Sequence, residues 1–490
     1  MSSYPTLATE AASSPSVEAA PLIDALRVSA ASTLGSALGQ NPLLGFGVSS
    51  EGNFPYYYQS PRNGQFNGAT YGWINHNLLT GGGTPVQLDM GNTFTNLYIQ
   101  ALSTVVYELS TADQAALNQA TTNAQNQQLA LLNAWTAAYG ALPPVSAGQE
   151  PIDAIFAIIT STWAVPATTL NSIQQAPNIG ALLNNTPASG QTILPVLTDY
   201  LNALGSSVGL QNQVSMNRGY LAKALAAVQS PTAANGGLTI DTATAPVPAF
   251  TMSPALTDII SSLTSPQSAK AKASMGVSRS SEQEYTVSVT GGGSFTLPFL
   301  DFFTFSAGGN ASYFSDSVVT SSNTVNIDME FPGVTMVNFG PATFDESQPN
   351  AGWYWMEPIT EAIANENQVG TVSGFFFSPN PEIDFSAQGP FGLLTGVAIS
   401  TYPKITITVT SADYASINTT FNQTASTEVS FLGIPLGGGS ESTYKHTSQI
   451  NASEQQVTIT LTPPVQTVST PNEQLLAWIL GAQVSYPAAS

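Results

Sequence analysis

The chain has no cysteine. Disulfides, thiol nucleophiles and Cys-ligated metals are excluded with it, and thiol usage says nothing about compartment. Basic residues are nearly as scarce. The 490 residues hold nine Lys and Arg against 30 Asp and Glu, for a net charge of -21. The sequence shows no run of Lys and Arg of the kind that displaces phosphate counterions, so nucleic acid is not an expected partner. Charge-driven attraction to anionic lipid is not expected either. There are two histidines, His76 and His446, which leaves no His-rich metal site. No stretch approaches the ~18 apolar residues of a membrane helix. The opening MSSYPTLATEAASSPSVEAAP has neither the basic nor the apolar segment of a standard signal peptide. An extracellular or cell-surface location is expected, reached without such a signal. No G-x-S-x-G, H-E-x-x-H or Walker A pattern occurs. An enzyme is therefore not expected, and neither is a cofactor.

What is present is a polar but uncharged chain. Charged residues make up 8%, while hydrophobic residues make up 42% with 22 Phe, 17 Tyr and 6 Trp. That aromatic content supplies packed cores despite the low charge. Ser, Thr, Asn, Gln and Gly carry the polarity. The length predicts more than one core. Near pH 4 the carboxylates protonate and mutual repulsion fades, so association is expected to depend on acid.

Along the chain, residues 1–20 read as a flexible arm. Residues 21–229 read as a helical domain. It opens on a stripe of Leu22, Ile23, Leu26, Leu34 and Leu38 and contains an aromatic, Gly-rich loop at 43–91. Residues 92–109 follow a helical period through Phe94, Leu97, Tyr98, Ala101, Leu102, Val105 and Val106. Ser110 caps a second helix to about Tyr139, with Leu117, Leu129, Leu132, Trp135 and Tyr139 inward and Gly140 as its stop, so the two are expected to form an antiparallel hairpin. Shorter helices are expected at 151–163, 191–204 and 208–229. Residues 230–272 read as a linker with a short helix.

From residue 273 to 490 the pattern changes to Val, Thr, Ser and Phe in alternation, the mark of an antiparallel β domain with one wet face. The fold class is thus α+β, with a helical N-terminal part and a sandwich-like β part. Two stretches within it share a plan: 283–331 and 403–463. Each runs from an alternating strand through an aromatic arm, a Gly turn and a Ser/Thr stretch to a final V-x-I-x-(M/L) strand. The plan reads as a duplicated β-meander.

Three kinds of candidate site emerge. Trp353 and Trp355, on either side of Tyr354, form a candidate ligand platform, one face buried and one offered to a sugar. The competing expectation is burial of both rings. Glu382 and Asp384, like Glu282/Glu284 and Asp328/Glu330, lie two apart and share a strand face. Of these, Glu382 and Asp384 are the candidate Ca²⁺ ligands, because the turn at Asn380-Pro381 brings carbonyls close. His446 is expected to be a solvated side chain. The repeated stretches supply candidate membrane or assembly hairpins through Phe302, Phe303, Phe305, Tyr313, Phe431, Leu432 and Tyr444.

The expected function is that of a non-catalytic structural or surface protein that self-associates as a homo-oligomer through its β-rich part. Uncharged Thr/Ser strands lack the Lys and Pro that ordinarily block edge pairing. The alternatives are a pore-forming or membrane-active toxin using the two hairpins, and a glycan-binding module or glycosidase.

Overall fold

The protein is described by a computed structural model covering residues 20–38, 53–57, 68–79, 87–161, 191–240, 245–281, 284–290, 293–298, 303–305, 318–348, 351–387, 389–423, 427–431, 434–435, 443–463 and 474–487. Helices concentrate in the N-terminal half and antiparallel strands in the C-terminal half, so the fold is α+β.

In chain order the first strands are β1 (Asn53–Tyr57), β2 (His76–Leu79), β3 (Gln87–Thr93) and β4 (Val105–Glu108). The next are β5 (Gly237–Leu238), β6 (Val247–Pro248), β7 (Phe250–Ser253), β8 (Lys270–Arg279), β9 (Glu284–Val289) and β10 (Gly293–Pro298). Then come β11 (Phe303–Phe305), β12 (Thr324–Pro332), β13 (Thr335–Pro341), β14 (Gly374–Phe377), β15 (Leu393–Ser400) and β16 (Lys404–Thr410). The last are β17 (Thr427–Phe431), β18 (Ile434–Pro435), β19 (Thr443–Asn451), β20 (Gln456–Thr462) and β21 (Gln474–Ser485).

The chain divides into two compact units that do not follow its order. The β-rich unit is Met1–Thr104, Lys223–Thr360 and Pro379–Ser490, and the helical unit is Val105–Ala222 with Glu361–Ser378.

The β-rich unit is built on a large antiparallel sheet of order β10-β9-β8-β12-β16-β20-β19-β17-β11, with β18 beside β17. The alternation of the sequence becomes two faces. Val325, Ile327 and Met329 share the buried face with Ile405, Ile407 and Val409 of β16 and with Val457, Ile459 and Leu461 of β20. Register aligns them strand by strand, with Ile327 opposite Ile407 and Ile407 opposite Ile459. Full burial of each such side chain stabilises by roughly 1.5–3 kcal/mol. The outermost strands β10 and β11 are separated by only the residues between Pro298 and Phe303. That link spans at most ~18 Å, whereas nine strands laid flat place the edges ~38 Å apart. The sheet therefore curls with its apolar face inward.

The helix Ala20–Leu34 packs on that face through Leu22, Leu26 and Ala30, and the helix Tyr414–Gln423 does so through Ile417 and Phe421. A second sheet of order β1-β21-β15-β13-β7 lies in the same unit. Its strand β21 is buried on both faces from Ala477 to Ala482. That two-sided burial is why Ala477 to Leu480 reads as a continuous apolar run rather than an alternation.

The two stretches that the repeat equates sit in different surroundings. β16 lies between β12 and β20, while β9 lies between β8 and β10. Several local expectations are corrected. The helix at 92–109 stops at Thr104, and Val105–Glu108 is a strand paired with Gly374–Phe377. Its β-branched Val105 and Val106 and aromatic Tyr107 fit a pleated surface better than a helix. A strand therefore separates the two helices, so they are not a tight helical hairpin. The loop expected at 43–91 holds β1, β2, β3 and the helix Gly68–Ile74.

In the helical unit, Thr111–Tyr139 starts at the Ser110 cap, whose hydroxyl accepts from Asp113 N, and stops at Gly140 in the left-handed region. Ala124, Leu131 and Trp135 are its buried residues, but Leu129 is 58% and Tyr139 38% exposed rather than inward. Ile152, Ile155 and Phe156 of the helix Pro151–Ile159 meet Leu131 and Trp135, together with Leu197 and Tyr200. The helices expected at 191–204 and 208–229 form one element, Leu194–Gln229, that runs through Gly205 and Gly209. Arg218 and Gln213 of that element hold the β4 strand, at the Tyr107 carbonyl (3.2 Å) and hydroxyl (2.8 Å) respectively.

Candidate interaction face and sheet edge

The outward face of the curled sheet is polar across its central strands. One row of facing residues is Ser288, Gly276, Asn326, Thr408, Thr458 and Gln449. The next is Ser274, Asp328, Thr406, Thr460 and Thr447. Rows lie about 6.7 Å apart along the strands and their members ~4.8 Å apart across them. Among the described residues, no hydrogen bond within the protein uses the hydroxyls of Thr406, Thr408, Thr458 or Thr460.

A third row is different. Lys272 faces Glu330, Glu330 faces Lys404, and Lys445 faces Thr462. Lys404 and Thr462 flank the facing pair Ile405 and Leu461, which makes the row continuous over five strands. Lys270 stands at the same end of β8. Glu330 takes Lys270 at 2.9 Å and Lys272 at 3.4 Å. The Lys270 hydrogen bond, helped by Lys272, holds its carboxyl below the usual range. Lys404 and Lys445 are exposed and make no ion pair among the described residues. The sequence reading missed this gathering, because the four lysines are spread from 270 to 445. The same-face spacing of Lys270 and Lys272 and the start of the alternating strand at Lys404 were the available signals.

The sheet treats its open edges unequally. β9 pairs with β8 only from Met275 onward. Beyond it, the helix Ala20–Leu34 covers β8: Ser29 Oγ donates to the Lys272 carbonyl (2.9 Å) and accepts from its N–H (3.3 Å), and Thr33 Oγ1 shares its hydrogen between the Ser29 carbonyl of its own helix (2.9 Å) and the Lys270 carbonyl (3.2 Å). A helix laid over an edge in this way blocks further pairing. At β19 the helix Tyr414–Gln423 meets side chains rather than the main chain: Ser448 Oγ donates to Asn422 Oδ1 (3.0 Å), and His446 Nε2 approaches the Phe421 carbonyl. β17 pairs with β19 only at Thr443 and Tyr444. From Thr447 to Asn451, no strand among the described residues lies on the side away from β20. Ile450, in that segment, is 52% exposed.

The residues singled out from the sequence fall as follows. Trp353 is 0% and Trp355 5% exposed, so the ligand platform is corrected: neither indole presents a face. They belong to an aromatic cluster centred on Tyr98. Trp355 N donates to the Tyr98 oxygen at 2.7 Å, and the phenol hydrogen is shared between the Trp353 and Trp355 carbonyls at 3.2 Å each. Trp353 meets Tyr98 edge-on at 5.5 Å, and its Nε1 donates to the Ala249 carbonyl. Burial pushes the Tyr98 and Tyr354 phenols up from their ordinary value.

Glu382 and Asp384 are both exposed, on a turn in which Glu382 N donates to Asn380 Oδ1 and Ser386 N to Asp384 Oδ1. The Ser386 N–H holds the Asp384 carboxyl low. Among the described residues, no three His, Asp or Glu side chains gather where they could hold a metal ion. Glu284, Asp328 and Glu330 lie on strands of the large sheet, and Glu282 lies outside the described residues.

Tyr444 is a core residue rather than a hairpin surface: it is fully buried, with its hydroxyl donating to the Pro403 carbonyl at 3.1 Å. Phe303 and Phe305 lie on β11, where Phe303 faces Phe431 of β17, so the two aromatic arms pair with each other. Phe302, Tyr313 and Leu432 lie outside the described residues. His446 is corrected from solvated to half-buried: its Nε2 approaches the Phe421 carbonyl and its ring meets Phe421 edge-on at 5.5 Å. No helix among the described residues is long and apolar enough to cross a membrane.

These features define an α+β protein with a curled antiparallel sheet, a polar outward face and, among the described residues, a segment of β19 with no strand beside it. No known family model matches the chain, and no curated protein or solved structure matches it.

Proposed function

We propose that this chain is a non-catalytic structural or surface protein that self-associates through its β-rich unit. The observation that carries the reading is the contrast between the two edges. The helix beside β8 bonds its main chain through Ser29 and Thr33, while the helix beside Thr447–Asn451 of β19 bonds a side chain, Ser448 to Asn422, and no strand among the described residues lies there. An open antiparallel edge accepts a further strand through main-chain hydrogen bonds. A second copy of the same segment supplies one by two-fold pairing. The five residues Thr447-Ser448-Gln449-Ile450-Asn451 bear no charge, so the net charge of the whole chain acts on this contact only from a distance.

Sedimentation velocity across concentration tests the reading, with Ile450→Lys as the variant. Ile450 is exposed, so the substitution spares the core and places a charge where natural edges carry one. The wild type is expected to associate with rising concentration and Ile450→Lys to remain monomeric. A wild type that stays monomeric from pH 4 to 8 refutes the proposal, and so does an oligomer unmoved by the substitution.

A further inference from the structure

We infer that the lysine row binds a linear, sparsely charged polyanion, specifically an acidic polysaccharide with carboxylates on alternate sugars. The inference is independent of self-association. The chain has five lysines and a net charge of -21, and the sheet places Lys270, Lys272, Lys404 and Lys445 at one end of one face. Glu330 engages Lys270 and Lys272. Lys404 and Lys445, exposed and unpaired among the described residues, are the two whose charge is fully offered outward.

Charge spacing selects among polyanions. Lys272, Lys404 and Lys445 stand on alternate strands of the order β8-β12-β16-β20-β19. Their positions therefore recur about every 10 Å over ~19 Å. Duplex DNA carries one charge per ~1.7 Å, a density that would set many unmatched phosphates against an otherwise acidic surface. A chain with one carboxylate per pair of sugars needs few cations and offers many hydroxyls. The row next to the lysines supplies their partners: Thr406, Thr460 and Thr447 point the same way, and Thr462 lies within the lysine row itself. A carboxylate on Lys404 or Lys445 forms a charge-assisted hydrogen bond, and the threonine hydroxyls both donate and accept. Aromatic stacking, the usual alternative for sugars, is absent from these three rows.

Affinity electrophoresis of the full chain through gels containing hyaluronate tests this, with dextran as the neutral control and single-stranded DNA as the dense polyanion. Retardation by hyaluronate is expected. It should weaken about tenfold or more in Lys404→Gln/Lys445→Gln and fall as salt rises from 50 to 300 mM, because the attraction is screened. Circular dichroism and sedimentation of the variant should match the wild type, which separates lost binding from lost folding or lost association. The proposal is overturned by no retardation, by equal retardation in dextran, by stronger binding to DNA than to hyaluronate, or by a variant that binds unchanged. Lys404→Arg/Lys445→Arg keeps the charge and should keep the binding. If it loses binding together with the Gln variant, the row is not acting through charge.

Discussion

Removing one oxygen, in Tyr98→Phe, tests how the aromatic cluster is held. The Tyr98 phenol is fully buried, accepts the Trp355 N–H at 2.7 Å and shares its own hydrogen between two carbonyls at 3.2 Å. The ring packing survives the substitution, so the loss is one of hydrogen bonds alone. Depriving a buried donor or acceptor of its partner costs ~1–3 kcal/mol. Here an N–H loses its acceptor and two carbonyls lose the one hydrogen they share, which puts the expected loss at about 2–6 kcal/mol. Tyr444→Phe is the comparison, because its hydroxyl makes one bond, to the Pro403 carbonyl at 3.1 Å. Its loss should be about 1–2 kcal/mol. Urea unfolding followed by tryptophan fluorescence measures both, with separate transitions fitted if the two units unfold independently. Trp353 lies 5.5 Å from the Tyr98 ring and reports the site directly. Tyr98→Phe costing no more than Tyr444→Phe would refute the argument that the phenol is the hub of the cluster.

Three further outcomes follow from the structure. Ser29→Ala/Thr33→Ala removes the hydroxyls that cover β8 and should cost about 1–2 kcal/mol while raising concentration-dependent aggregation in light scattering; unchanged scattering would discount edge protection. Gly352→Ala should destabilise by about 2 kcal/mol or more, since a Cβ there would lie 2.0 Å from the Thr343 carbonyl oxygen, and a thermal melt equal to the wild type would contradict that close approach. His76 has its Nδ1 buried without a hydrogen-bond partner among the described residues, and burial lowers its pKa. The unfolded chain therefore takes up a proton near pH 6.5 that the folded chain resists, so stability present above pH ~6.5 is lost as pH falls below it. His76→Gln should flatten the pH dependence of the urea midpoint between pH 7 and 5, and a wild type already flat there would contradict the assignment.

The elements that rest on local pattern were readable from the chain alone. Tyr285–Val289, Val325–Met329, Lys404–Thr410 and Val457–Leu461 alternate strictly and became strands, because a period of two matches a sheet with one buried face. Ser110 and Gly140 bound their helix as expected, since a cap depends on its immediate neighbours. Where two patterns competed, tertiary pairing decided. Val105–Glu108 continues a helical stripe, yet it became a strand because Gly374–Phe377 lies beside it. The sequence also determined that lysines would be few and cysteines absent. Tertiary structure alone decided that four of the five lysines line one end of one sheet face, that Trp353 and Trp355 are both interior, and that a helix bonds the main chain of β8 but only side chains of β19. Each of those facts depends on which strands become neighbours and in what register, and a strand's own residues specify its two faces but not the strand that will lie next to it.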